Sequence, residues 1–147
     1  MDIGLENKFI DRVLFKKDPY FIGVNNLPAH AHYKPFSTVM NCSGHFIALV
    51  GDDRMLYYYD PIGLTIFDDE VRRFCSADPR KFIKISQMHQ HPKSISCGFF
   101  VIMFILCKRF KFRLPNYDKN NLWKNDNLVV KSLIRILPKI TKNKIDL

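Results

Sequence analysis

The 147-residue sequence has no C-x-x-C pair, no internal repeat and no low-complexity tract. Its four cysteines, Cys42, Cys75, Cys97 and Cys107, are scattered, and nothing marks the chain for export, so free thiols are expected in place of a disulfide framework. No apolar run stands behind a basic start at Met1–Lys8, which predicts no secretory signal and a protein that begins in the cytosol. The longest apolar stretch, Gly98–Cys107, has ten residues, whereas a membrane helix needs roughly 20. It predicts a buried core helix and no membrane partner.

What is present suits a packed interior: 47% hydrophobic residues, 25% charged, with 13 Phe and 6 Tyr. The length fits one domain over 1–147, expected as a monomer. The net charge of +9 would attract a polyanion such as nucleic acid, or it is a solubilising excess of lysine; basicity alone does not choose.

The apolar positions 5, 9, 10, 13 and 14 predict an amphipathic helix over Leu5–Phe15, ended by Asp18-Pro19. A loop with Pro28 and Pro35 follows. From Gly44 the pattern turns to strands: His45–Val50, a polar turn over 51–54, then Met55–Asp60, a β-hairpin apolar on both faces and therefore central in its sheet. Asp68–Phe74 reads as a short helix with acids in its first turn, and Lys81–Gln87 as a third strand. A polar loop, Met88–Ser96, leads into a helix expected from Cys97 to Arg113. A last helix is expected over 126–137, N-capped by Asn125 or Asp126, with residues 139–147 loosely held.

A symmetric turn over 51–54 would set His45 directly opposite Asp60, with Cβ atoms about 4.5–5.5 Å apart. A carboxylate accepting the Nδ1 proton leaves Nε2 facing outward as a general base; alone, such a pair reads more readily as a surface ion pair. Cys97 supplies the context. It heads the apolar helix, where unpaired backbone N–H groups stabilise a thiolate. Gly98 beside it permits close backbone approach of a substrate. Gln90, seven positions earlier, places a carboxamide where it can donate to a developing oxyanion alongside the Cys97 N–H. Cys107, inside the apolar run, reads as an inert core thiol.

Taken together, Gly44-His45-Phe46-Ile47-Ala48-Leu49, Tyr59-Asp60-Pro61-Ile62-Gly63 and Gln90 followed by Cys97-Gly98-Phe99-Phe100 resemble the adenovirus endopeptidase (adenain) family, as does Pro19-Tyr20-Phe21-Ile22-Gly23. The resemblance spans roughly residues 5 to 110. It implies an α+β, papain-like cysteine protease fold in which an antiparallel sheet packs against a central helix that begins at the nucleophile. By the same resemblance Cys97 is the nucleophile, His45 the base, Asp60 its acidic partner and Gln90, with the Cys97 N–H, the oxyanion hole. It further implies cleavage of viral precursor proteins during virion maturation, a place in the virion and host-cell interior, no chemically required cofactor, and activation by viral DNA or a viral peptide. The chain departs from the pattern in several ways. Asp60 stands where Glu is usual and Phe46 where Trp is usual, the stretch from Asp60 to Gln90 is short, and Pro79-Arg80-Lys81 occupies the place of the peptide-linking cysteine, with Cys75 a nearby substitute.

The main alternative is a protease that removes ubiquitin-like modifiers, in which a six-position Gln-to-Cys spacing and a Trp after the histidine are usual. A metal site among Cys42, His45, His89, His91 and Cys97 lacks structural zinc spacing. A nucleic-acid-binding module would use the alternating stripe Lys108-Arg109-Phe110-Lys111-Phe112-Arg113, which reads more readily as a helix end with Lys108, Arg109, Lys111 and Arg113 in solvent and its Phe residues in the core.

Overall fold

Every residue from Phe46 to Val50 is apolar, so a strand made of them needs cover on both faces. A computed structural model shows that cover. It describes residues 3–28, 34–66 and 68–140, with side chains from Glu6 onward. The elements are α1 (Ile3–Lys17), β1 (Phe21–Val24), β2 (Phe36–Cys42), β3 (His45–Gly51), β4 (Met55–Tyr59), α2 (Asp69–Ala77), β5 (Lys81–Ile85), α3 (Cys97–Phe110) and α4 (Lys124–Ile136), then a 3-10 turn at Leu137–Lys139.

The five strands form one sheet in the order β1-β2-β3-β4-β5. Its centre, β2-β3-β4, is antiparallel as expected. The two edge strands pair parallel with their neighbours, and the crossover from β4 to β5 carries α2. Strand alternation divides the core. Phe46, Ala48, Val50 and Tyr59 face α3, together with Ile10 and Leu14 of α1 and Val129 and Leu133 of α4. Ile47, Leu49, Leu56 and Tyr58 point the other way, onto Val71 and Cys75 of α2.

Helix α3 lies inside this packing, and from Cys97 to Cys107 only Phe99 is less than buried. It ends at Phe110, three residues before the expected Arg113. Lys111 takes a left-handed conformation (φ 59°) and both its N–H and that of Phe112 return to the Cys107 carbonyl, a Schellman-type cap. Helix α4 starts at Lys124, ahead of the expected cap. Asn125 therefore lies within the first turn, where its side chain bonds to other segments and does not cap the helix. Strand β2 was not expected, and β5 is the fifth strand, not the third. Residues 29–33 of the expected Pro28–Pro35 loop, the Leu5 side chain and the tail from 141 lie outside the described residues.

The β3–β4 register also differs from expectation. Ala48 pairs with Tyr59 and Gly51 with Leu56. The turn is Asp53-Arg54: the Asp52 N–H donates to the Met55 carbonyl (3.0 Å), and the Asp52 carboxylate accepts from the N–H groups of Arg54 (2.8 Å) and Met55 (2.6 Å). Gly51 ends β3 packed under Phe36, whose ring would stand 2.6 Å from any Cβ placed there. Continued along the strands, this register sets Asp60 opposite Ile47 and diagonal to His45. The shift is by two positions, so His45 and Asp60 keep to one face.

Candidate active site

His45 opens β3 and Asp60 directly follows β4, so both stand at the same end of the sheet. The turn after Asp60 fixes its carboxylate: the Gly63 N–H returns to the Asp60 carbonyl (2.9 Å), and the Ile62 N–H donates to Oδ1 (2.8 Å). Asp60 is wholly buried, and its Oδ1 lies 2.6 Å from Nε2 of His45. A buried carboxylate is costly without a cationic or hydrogen-bonding partner. His45 supplies it.

Cys97 lines the same cleft as His45 and is among the groups that raise its pKa. Because Nε2 is taken by Asp60, the nitrogen left for the sulfur is Nδ1, the reverse of the ring orientation expected from the sequence. The diagonal register is the reason: diagonal neighbours are about 7–8 Å apart, and Nε2, the ring nitrogen farther from Cβ, is the one that reaches. Burial pulls the His45 pKa down, but the Asp60 carboxylate, with Cys97 adding to it, outweighs this and raises it to about 9. The imidazole is therefore a cation at neutral pH, the partner a thiolate needs.

Cys97 is the first residue of α3, held there by the helix packed around it. Ser96 makes no side-chain cap. Glu6 of α1 stands beside Gly98 at this helix end. A Cβ on Gly98 would lie 3.0 Å from Glu6 Oε1, so the bare backbone admits the contact. Burial raises the Glu6 pKa, with the Gly98 backbone opposing.

Gln90 is brought to the same place by the backbone: its N–H (2.9 Å) and that of His89 (2.8 Å) both donate to the Pro61 carbonyl, next to Asp60. Its buried side chain donates from Nε2 to the Ser94 carbonyl at 3.0 Å. His45, Gln90 and Cys97 line one open cleft of about 490 Å³, with Glu6, Leu64 and Ile95 among its walls. The structure thus brings all four sequence-derived site residues together. Sequence reasoning missed Glu6 and Ser94, since a glutamate on an amphipathic helix and a serine in a polar loop carry no local mark.

The other candidates separate from this cluster. Burial pushes the thiols of Cys42 and Cys107 up to about 11 and that of Cys75 up to about 12. Cys75, the nearby substitute for a peptide-linking cysteine, is buried in α2 against the sheet. His89 is buried, its pKa lowered to about 4, with Nδ1 2.9 Å from the Tyr59 hydroxyl. Among the described residues no three His, Cys, Asp or Glu side chains converge as metal ligands.

The basic stripe does not present one face. Arg109, expected in solvent, has a side chain only 6% exposed, with Nε 3.1 Å from the buried Asp18 and its guanidinium over the Tyr20 ring. Lys108 lies over Tyr57, and Lys111 and Arg113 are exposed. Among the described residues no helix is long and apolar enough to cross a membrane.

The architecture is the α+β, papain-like cysteine protease fold of the adenain type. It is similar to that of the SUMO protease Ulp1 with its catalytic cysteine oxidised to a sulfinic acid: TM-score 0.53 at 12% identity, over 93% of this chain and 78% of that one. A second similar structure is the central domain of the uncharacterised Lpg1148 protein from Legionella pneumophila, with TM-score 0.43 and 20% identity over 71% of this chain and 69% of that one. No family model and no curated protein matches the sequence.

Proposed function

We propose that the chain is a cysteine endopeptidase that cleaves viral precursor proteins during virion maturation, inside the host cell and the particle. The observation that carries this reading is the junction at His45, which is bonded to buried Asp60 at 2.6 Å and shares one cleft with Gln90 and with Cys97 at the head of α3.

In the mechanism, the Cys97 thiolate attacks the scissile carbonyl carbon. The oxyanion is held by the Cys97 N–H and by the Gln90 amide hydrogen not used on Ser94. His45 gives its Nδ1 proton to the leaving amine, then removes a proton from the water that hydrolyses the acyl-enzyme. Asp60 holds the ring through Nε2 throughout and stabilises its protonated form before the first transfer and after the second. DNA as a further partner would rest on Lys108, Lys111 and Arg113, since Arg109 is turned inward.

A second reading, removal of ubiquitin-like modifiers, is favoured by the fold shared with a SUMO protease. The seven-position spacing from Gln90 to Cys97 and the Phe46 after His45 favour the viral type. The deciding assay gives the chain Gly-containing viral precursor peptides and a fluorogenic ubiquitin-like conjugate side by side. Cys97-dependent cleavage of the peptides alone supports the first reading, and cleavage of the conjugate alone supports the second. Turnover that survives Cys97→Ala defeats both.

A further inference from the structure

A carboxamide has two ends of nearly equal size, and only its NH₂ end can stabilise an oxyanion. In Gln90 the choice of end rests on one contact, the 3.0 Å bond from Nε2 to the Ser94 carbonyl, because the buried Oε1 has no hydrogen-bond partner among the described residues. A flipped amide would set two oxygens against each other at that point. The position of the Ser94 carbonyl therefore decides whether the oxyanion hole exists.

Ser94 is itself held from α4. Its hydroxyl lies 3.0 and 2.9 Å from the two carboxylate oxygens of Asp126, and it accepts from the Ser96 N–H at 3.1 Å, one residue before the nucleophile. The preceding residue of α4, Asn125, donates to the His89 carbonyl at 2.8 Å, on the other flank of Gln90. Trp123 stacks on His91 at 4.2 Å. The start of α4 thus grips the Gln90 loop on both sides, although none of these side chains meets the scissile bond.

Building on the cysteine protease reading, we propose that Asp126 and Ser94 are positioning residues: through the Ser94 hydroxyl, Asp126 fixes the Ser94 carbonyl that aims the Gln90 amide hydrogen into the oxyanion hole. The class of effect is on acylation of Cys97, not on formation of its thiolate.

The test uses the full chain, turnover of a glycine-terminated coumarin peptide, and iodoacetamide alkylation of Cys97, which needs the thiolate but no oxyanion hole. Asp126→Ala and Ser94→Ala are expected to lower kcat about tenfold with KM and alkylation rate each within about twofold. Ser94→Thr, which keeps the hydroxyl, restores most of kcat. In a Gln90→Ala background, Asp126→Ala has little left to remove and changes kcat by less than about twofold. If Asp126→Ala does not fold, Asp126→Asn, which keeps one acceptor oxygen, carries the same comparison with a smaller loss. An undiminished kcat, a parallel fall in alkylation, or a full loss in the Gln90→Ala background overturns the inference. Absent wild-type turnover, or turnover that survives Cys97→Ala, overturns the protease reading beneath it.

Discussion

His45 meets Asp60 diagonally across the β3–β4 hairpin, through Nε2 at 2.6 Å, and so keeps Nδ1 for the sulfur of Cys97. The geometry makes Asp60 the support of a protonated imidazole. The proton that His45 gives up with rising pH is the one the leaving amine needs.

Turnover is therefore expected to fall as pH rises through about 9, where His45 loses its proton. Asp60→Asn removes the charge that raises this pKa and should move the alkaline limb down toward about 6.5, the ordinary histidine value. The stability sign follows. A folded-state pKa above the unfolded one contributes stability that is fully present below about 6.5 and is lost as pH rises through about 9. Urea midpoints of wild type and Asp60→Asn should thus converge above about pH 9, and a gap that widens there would contradict the account.

Gln90→Ala is expected to lower kcat by about 10²–10³, the usual cost of one oxyanion donor, with little change in KM. Steady-state kinetics on the cleaved peptide checks this. A rise in KM at constant kcat would make Gln90 a binding residue only.

Glu6 stands beside Gly98 at the N-terminal end of α3, next to Cys97, where the helix favours negative charge. Glu6→Gln keeps an acceptor and removes the charge. It should speed alkylation of Cys97 near pH 6 by about threefold to tenfold, since like charges no longer compete there. Slower alkylation would show that the carboxylate assists the site.

Much of this arrangement was legible in the sequence, because β3, β4 and α3 are apolar runs bounded by polar turns. Strand β2 was not. Its Ser37, Thr38 and Asn41 read as loop, yet Ser37 bonds to Asp18 at 2.5 Å and Thr38 to the Gly23 carbonyl at 2.7 Å, so their polarity is satisfied inside the fold. Chain order and residue type named His45, Asp60, Gln90 and Cys97. The ring orientation of His45 depended on the β3–β4 register, in which Gly51 pairs with Leu56 inside the strand, a pairing that the local pattern does not record. The grip of Asp126 on Ser94, across 32 positions, is likewise a product of tertiary packing.

Arg109 gives a test of the corrected basic stripe. Arg109→Ala leaves Asp18 buried without its cation and should cost about 3–5 kcal/mol. Lys111→Ala and Arg113→Ala, at exposed positions, should each stay within about 0.5 kcal/mol. Chemical denaturation separates the two cases, and equal effects would return Arg109 to the surface.

Gly63 closes the turn that orients Asp60, with φ at +78° and the Ser86 carbonyl 3.1 Å from any added Cβ. Gly63→Ala should therefore destabilise the chain by about 1–2 kcal/mol and lower turnover with it, as read by thermal denaturation and kinetics together. An unchanged melting point would mean that the turn is not required.

The most direct measurement is the rate of iodoacetamide modification at each cysteine, mapped by mass spectrometry across pH in wild type and His45→Ala. The account predicts that near pH 6 Cys97 reacts at least about tenfold faster than Cys42, Cys75 and Cys107, and that His45→Ala abolishes the difference. Four cysteines reacting at one slow rate, indifferent to His45, would contradict it.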